Sequence, residues 1–319
     1  MNAIESSGMN GSALRARVEG GKTPEMTGWY LKSETGPLRD VLLGPADTFG
    51  WLGEANAEYS SLVRDSLRRG YRFDRELALR QHGEMVSAYE DAGVRCHFLP
   101  GDTATEMQVF ARDSSFMTPY GAVICQLANP RRRGEYASVL RFYMDNGIPI
   151  YDMVSAGNFE GGDFNMIRPG AALVGYTDHR SEGVAARQVA DWFTAEGWEI
   201  KFAPIDPFYV HIDLMVCMLN EDCAAVCLET TEDDVVAWLR EKKIEIIPAT
   251  YEETMTLGCN VVALGNDRIL STLAASDLNA RMRAAGFRVY DPDMTQFTRA
   301  GGGVYGRRLG CNPPASRFD

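Results

Sequence analysis

The chain is poor in histidine, holds fewer bases than acids, and lacks any long apolar run. Its four histidines are His82, His97, His179 and His211, and none is spaced with a cysteine as a zinc ligand pair would be. Its seven cysteines (Cys96, Cys125, Cys217, Cys223, Cys227, Cys259 and Cys311) are odd in number and include no C-x-x-C pair. Most lie in apolar runs, which excludes a disulfide framework and fits buried thiols in a reducing cytoplasm. Lys and Arg total 32 against 44 Asp and Glu, a formal net charge of -12. That balance argues against nucleic acid as a partner and suits a small cationic molecule, although a merely soluble acidic surface would carry the same sign. No apolar run approaches the roughly 18 residues of a membrane helix, and the N-terminus has no hydrophobic signal core. Residues 1–27 read as a flexible arm, and residues 28–319 as one domain.

What is present is a repeat. With 319 residues, 45% of them apolar, the chain can bury a large core. Amphipathic helices are expected over 73–93, 133–146, 182–197, 231–243 and 276–286, several closed by a glycine such as Gly93, Gly197 or Gly286. A short strand follows each, over 94–99, 148–153, 199–203, 244–248 and 287–290. Between helices lie hairpin-like pairs: 115–117 with 122–126, 164–167 with 172–176, 214–219 with 224–228, and 260–264 with 268–271. A first strand is expected over 41–43. The unit recurs five times at roughly 45–50 residues, which points to one closed, pseudo-symmetric α/β assembly. A doubly wound parallel sheet fits less well, because parallel strands need crossovers rather than tight turns.

Polar motifs sit at the ends of the apolar runs: Phe110-Ala111-Arg112-Asp113, Glu160-Gly161-Gly162-Asp163, His211-Ile212-Asp213, and Gly301-Gly302-Gly303 ahead of Cys311. Read as strand residues two apart, His211 and Asp213 would face one side and meet at the centre. A guanidinium is planar, always charged and matched to paired carboxylates. Asp113 and Asp213 are the pair expected to hold it, a salt bridge from Asp113 to Arg112 being the plainer alternative. Glu160 could orient His211 as the third group of a triad. Asp163 is assigned either to substrate or to bracing its loop.

These motifs, together with SETGPLRDVLLGP (33–45), LGCNVVALG (257–265) and GGGV (301–304), resemble those of the pentein superfamily of guanidino-group-modifying enzymes. That superfamily includes arginine deiminases, dimethylarginine dimethylaminohydrolases and amidinotransferases. The resemblance implies a five-bladed αβ propeller with the site on its axis. It implies guanidinium binding by Asp113 and Asp213, an acid/base pair in Glu160 and His211, and a C-terminal nucleophilic cysteine. Arg132 and Arg180 fall where arginine deiminases place carboxylate-binding arginines, with a solvated helix start as the other reading of Arg132. The implied activity is hydrolysis of an arginine-like or N-substituted guanidine through a covalent thiouronium, with no metal or cofactor. Amidino transfer to an amine and binding without turnover stand as alternatives, the first disfavoured by the EGGD version of its motif. The family often forms homodimers, and a homodimer is expected with it.

The pattern departs from the family in three places. The customary nucleophile slot, three residues after the glycine run, holds Gly306, and Cys311 comes five residues later. Either the loop is lengthened so that Cys311 reaches the axis, or a working nucleophile is lacking; the strand that customarily follows the nucleophile is expected to be missing. Met107 and Gln108 replace the Asn that arginine deiminases carry ahead of this motif, against free arginine as substrate. Cys259 reads as a buried structural thiol.

Overall fold

The apolar runs resolve into five three-stranded sheets in a computed structural model that describes residues 29, 31–51, 57, 60–304 and 306–311. The arm expected over 1–27 lies outside the described residues. Four sheets share one plan: an antiparallel hairpin, a helix, then a third strand parallel to the second. The fifth joins the first and last strands of the described chain. Its middle strand β1 (Leu38–Leu43) pairs in parallel with β2 (Arg95–Phe98) and antiparallel with a strand from the end of the described chain, Arg307–Cys311. The others are β3 (Ser115–Thr118), β4 (Gly121–Ile124) and β5 (Ile150–Met153); β6 (Phe164–Arg168), β7 (Ala171–Tyr176) and β8 (Glu199–Pro204); β9 (Val216–Asn220), β10 (Cys223–Cys227) and β11 (Glu245–Ala249); and β12 (Val262–Gly265), β13 (Arg268–Leu270) and β14 (Arg288–Tyr290). Arg307–Cys311 is β15. The architecture is the five-bladed αβ propeller expected from the repeat.

Each parallel pair needs a crossover, and each gets a helix: α1 (Arg75–Asp91), α2 (Tyr136–Asp145), α3 (Gly183–Ala195), α4 (Asp233–Glu241) and α5 (Ser276–Ala284). The Asp74 carboxylate caps α1 by accepting from the Leu77 amide at 3.0 Å. The helix ends turn through Gly93, Gly147, Gly197 and Gly286 at positive φ, and the fourth blade does the same with Lys243 at φ 61. In the last hairpin Asn266 and Asp267 both sit at φ 53, as a two-residue type I′ turn demands. No helix among the described residues is long and apolar enough to cross a membrane.

Blades pack through the first strands of their hairpins, β15 against β3 and β9 against β12. Between the β3 and β6 blades, Phe116 stacks on Phe164 with centroids 4.3 Å apart, and Phe193 of α3 closes on Phe164 at 4.7 Å. All three rings are buried, each contributing about 2–3 kcal/mol of apolar burial.

One local expectation is corrected. His211–Asp213 is not the opening of a strand: His211 is extended, Ile212–Leu214 is a 3-10 turn, and β9 starts only at Val216. Gly161–Asp163 is likewise a 3-10 turn ahead of β6. A strand, β15, follows the customary slot at Gly306 and has Cys311 as its last residue, while the stretch after Cys311, where a strand is expected to be missing, lies outside the described residues. Leu309, fully buried, anchors β15.

Candidate active site

Five blades bring five short connections to one end of the inner strands. Asp113 precedes β3, Glu160 and Asp163 precede β6, His211 and Asp213 precede β9, Asn260 precedes β12, and Gly301–Gly303 lie ahead of β15. Their meeting place is a cleft of two lobes. One is lined by Phe110, Arg112, Asp113, His211, Asp213, Leu214, Asn260 and the three glycines. The other is lined by Ser60, Met107, Phe110, Asp113, Arg132, Arg180, Val210, Ala300 and Gly301. The lobes share Phe110, Asp113 and Gly301.

The two glycines of the EGGD motif are required by close approach. A Cβ on Gly161 would stand 2.2 Å from the Arg112 carbonyl oxygen, and one on Gly162 would stand 2.6 Å from His211 Nδ1. The Gly161 amide also donates to the Asp113 carbonyl at 2.9 Å, locking two motifs together.

His211 Nε2 lies 2.8 Å from Glu160 Oε2, and its Nδ1 lies 3.8 Å from Asp113 Oδ1. Burial alone would push the ring toward neutrality. The carboxylates of Asp113, Asp163 and Glu160 overcome that and hold its pKa up at about 9, so the imidazolium persists at neutral pH. Burial also opposes the charge on Glu160, yet Arg180 and His211 hold its carboxyl well below the usual range. Arg180 Nε reaches Glu160 Oε1 at 3.0 Å and its Nη2 reaches Oε2 at 2.5 Å, while the Ala128 amide donates to Oε1 at 3.1 Å.

The aspartates expected to hold a guanidinium already face arginines of the chain itself. Asp113 Oδ2 accepts from Arg132 Nη1 at 2.7 Å, and Arg132 is clamped by both oxygens of Glu135 at 2.8 and 2.9 Å. Asp213 Oδ2 accepts from Arg112 Nε at 3.0 Å, and Arg112 also reaches Glu34. The alternative of an Asp113–Arg112 bridge therefore gives way to two longer-range pairs. Asp213 Oδ1 is buried in the cleft wall with no hydrogen-bond partner. Burial, together with Asp113 and Asp163, raises the Asp213 carboxyl to about 6 against the pull of Arg112. Burial also raises Glu135 to about 7 and lifts Asp163 above its usual value. Six buried acids thus face Arg112, Arg132, Arg180 and His211, a surplus of negative charge that protons or an added cation must offset.

Asp163 lines neither lobe. Its Oδ1 accepts from the Ile212 amide at 3.0 Å and its Oδ2 from Ser181 Oγ at 2.5 Å, so it braces the His211 turn, and its assignment to substrate is corrected. Arg132 is the member of the arginine run that enters the cleft, while Arg133 turns to the Leu127 carbonyl. The structure does not bring Cys311 to the others. Inner strands run away from the site, and Cys311 is opposite Leu38, four residues beyond Arg307 and about 13 Å further along the strand. Among the described residues no cysteine lines the cleft. Cys217 turns its thiol to the Asp213 carbonyl, and burial pushes Cys259 up to about 12.

Sequence reasoning missed Glu34, Glu135 and Asn260. Asn260 stands two residues ahead of its inner strand, as Asp113 does, and that shared register was the available signal. Asp113, Glu160 and His211 offer ligand atoms within 4.8 Å of one another, but a protonated His211 has no lone pair for a metal, and the two carboxylates are engaged by Arg132 and Arg180.

Residues 52–306 match the family described as N,N dimethylarginine dimethylhydrolase, eukaryotic. The chain belongs to that family. It is therefore one of the guanidino-group-modifying pentein proteins. By sequence this dimethylhydrolase family member is 26% identical over 222 residues to the uncharacterized protein YkgA of Bacillus subtilis, covering 70% of this chain and 76% of that one. Its fold is shared with the dimethylarginine dimethylaminohydrolase of Pseudomonas aeruginosa in complex with citrulline (19% identity, TM-score 0.68, 84% of this chain and 97% of that chain). It is also shared with the N-terminal domain of ArgZ covalently bound to a reaction intermediate (20% identity, TM-score 0.73, 85% and 98%). The bifunctional arginine dihydrolase/ornithine cyclodeaminase ArgZ of Synechocystis is 25% identical over 198 residues, and the match spans only 28% of that protein.

Proposed function

We propose that residues 28–319 form one catalytic unit that hydrolyses a C–N bond of an arginine-like or N-substituted guanidine. The observation that carries this reading is the buried His211–Glu160 pair, 2.8 Å apart, beside Asp113 in a cleft where Asp213 Oδ1 awaits a donor. A site meant only to hold a cation gains nothing from a second buried cation. An imidazolium held there has a use in chemistry: it stabilises a thiolate and protonates a departing amine. Guanidinium N–H groups would satisfy Asp213 Oδ1 and take Asp113 from Arg132, which orients the central carbon.

The thiolate is assigned to Cys311. Its sulfur would form a C–S bond to the guanidinium carbon, and the leaving amine or ammonia would depart with the proton of His211. Water, deprotonated by the neutral His211, would then add to the same carbon, and the C–S bond would break as the adduct's hydroxyl proton passes to the released amine or to solvent, giving a ureido product and free thiolate. Reaching the axis requires the end of β15 to part from β1. No disulfide involves Cys96, Cys125, Cys217, Cys223, Cys227 or Cys259, which suits the reducing cytoplasm in which such a thiol would work.

A second reading, binding of a guanidino ligand without turnover, is favoured by Gly306 in the usual nucleophile slot and by the Leu38–Cys311 pairing. Mass spectrometry after treatment with a haloacetamidine thiol trap separates the two. Selective labelling of Cys311, blocked by a guanidine and accompanied by ureido product from that guanidine, is expected for the hydrolase. Ligand protection against unfolding with neither labelling nor product sinks the hydrolase and leaves the binder.

A further inference from the structure

The cleft is bipolar, and its second lobe is built for one charge only. Arg132 and Arg180 supply two guanidinium groups there, whereas Asp213 lines the other lobe. The rest of the wall is Met107, Phe110, Val210, Ala300 and Gly301, with Ser60 as the remaining polar side chain. The Ser60 hydroxyl is already used, accepting from the Val63 amide at 3.3 Å. Gln108, next to Met107, turns its carboxamide away to Ser138 and Thr105 and lines neither lobe. Among the described residues the only carboxylate on that wall is Asp113, which the ligand's own guanidinium would occupy.

A carboxylate entering this lobe meets two forked cations and can draw Arg132 from Asp113 and Arg180 from Glu160. An ammonium beside that carboxylate meets the reverse: two like charges, apolar side chains and, among the described residues, no free acidic partner, a costly place for a desolvated cation. We infer that the preferred ligand is an ω-guanidino carboxylic acid without an α-ammonium group, and that Met107 sets this preference. The inference rests on the guanidine-binding reading and narrows it to a substrate class.

Isothermal titration of the wild-type chain with four probes tests it: ω-guanidinopentanoate, L-arginine, N,N-dimethyl-L-arginine and agmatine. The des-amino acid should bind at least tenfold more tightly than either arginine, and agmatine, which lacks the carboxylate, should bind weakly as well. Met107→Asn should reduce the preference to threefold or less by improving arginine, whereas Met107→Leu should leave it unchanged. Arginine or dimethylarginine binding as tightly as the des-amino acid would overturn the inference while leaving the guanidine site intact. Equal preference in wild type and Met107→Asn would remove Met107 from it. Binding of none of the four would sink the guanidine-binding reading itself.

Discussion

Replacing Asp213 with Asn should stabilise the fold while crippling ligand binding. Asp213 is 3% exposed, and its carboxyl is raised from 3.8 to about 6, chiefly by burial. The folded chain therefore keeps a proton there that the unfolded chain releases near pH 4. Between those values the unfolded state binds fewer protons, so stability falls as pH rises, and above about 6 the loss is complete. At about 1.4 kcal/mol per pH unit the ionised group costs about 3 kcal/mol. The amide of Asn carries no such cost. Asp213→Asn should match the wild type near pH 4 and exceed it by about 1–3 kcal/mol at pH 8, since Arg112 retains Glu34 and the Phe164 carbonyl. Urea unfolding at the two pH values measures both differences. Binding of a guanidine should weaken about 10- to 100-fold, because a charge-assisted acceptor is lost. The opposite outcome is also well defined. If the Arg112–Asp213 pair is a net support, the variant loses about 3–5 kcal/mol at pH 8. That loss, or a difference that does not change with pH, would refute the claim that this cleft stores the cost of an unpaired carboxylate for its ligand.

Guanidine affinity should be flat near neutrality and fall about tenfold per pH unit below about 6, as a proton competes for Asp213; turnover, read as ureido product, should also fall above about 9, where His211 loses its charge. Gly162→Ala should place a methyl against the His211 ring and lower turnover at least about 100-fold, with a stability loss of about 1–3 kcal/mol by chemical unfolding. Glu160→Gln should cost about 3–5 kcal/mol, because His211 and Arg180 lose their shared counter-charge, and should lower the His211 titration seen by NMR. Gly306→Cys should destabilise by about 1–3 kcal/mol and gain no reactivity toward a thiol trap, since its Cβ would stand 2.5 Å from Leu43 and 2.6 Å from Val41.

The propeller was legible because each blade repeats a local code: turn residues between apolar runs, then an amphipathic helix closed by glycine. Convergence at one end of the inner strands was legible for Asp113, Glu160, His211 and Asp213, because polar residues just ahead of buried inner strands have only the axis to occupy, whereas Arg132 and Arg180, which follow β4 and β7, were expected there from the family resemblance alone. Ion-pair partners were not legible. Arg112 is the sequence neighbour of Asp113 but pairs with Asp213, 101 residues away, and no periodicity reports which arginine two converging loops will share. The role of Asp163 was equally hidden, since bracing an amide of the next blade depends on the approach of two 3-10 turns.

Cys311 exposes the limit most sharply, because its place is a matter of strand register. The run Gly306-Arg307-Arg308-Leu309-Gly310-Cys311 has one aliphatic residue, Leu309, to fix how it pairs with β1. In the fold Leu309 is fully buried, Tyr89 Oη accepts from the Gly306 amide at 3.2 Å and donates to the Val304 carbonyl at 2.9 Å, and Leu43 and Val41 fill the space beside Gly306. Those contacts set β15 going at Arg307 and carry Cys311 to its far end. Ring closure and thiol delivery therefore draw on the same strand, and each residue paired with β1 is one that cannot lie at the axis. A covalent step through Cys311 must break the Leu38–Cys311 end of the ladder, while Leu309 and Gly306 still hold the ring shut. On that reasoning, Leu38→Ala, which removes a buried side chain at that end of the ladder, should speed trap labelling of Cys311 several-fold by letting the strand end open more often. An unchanged labelling rate would show that the thiol never had to leave β1.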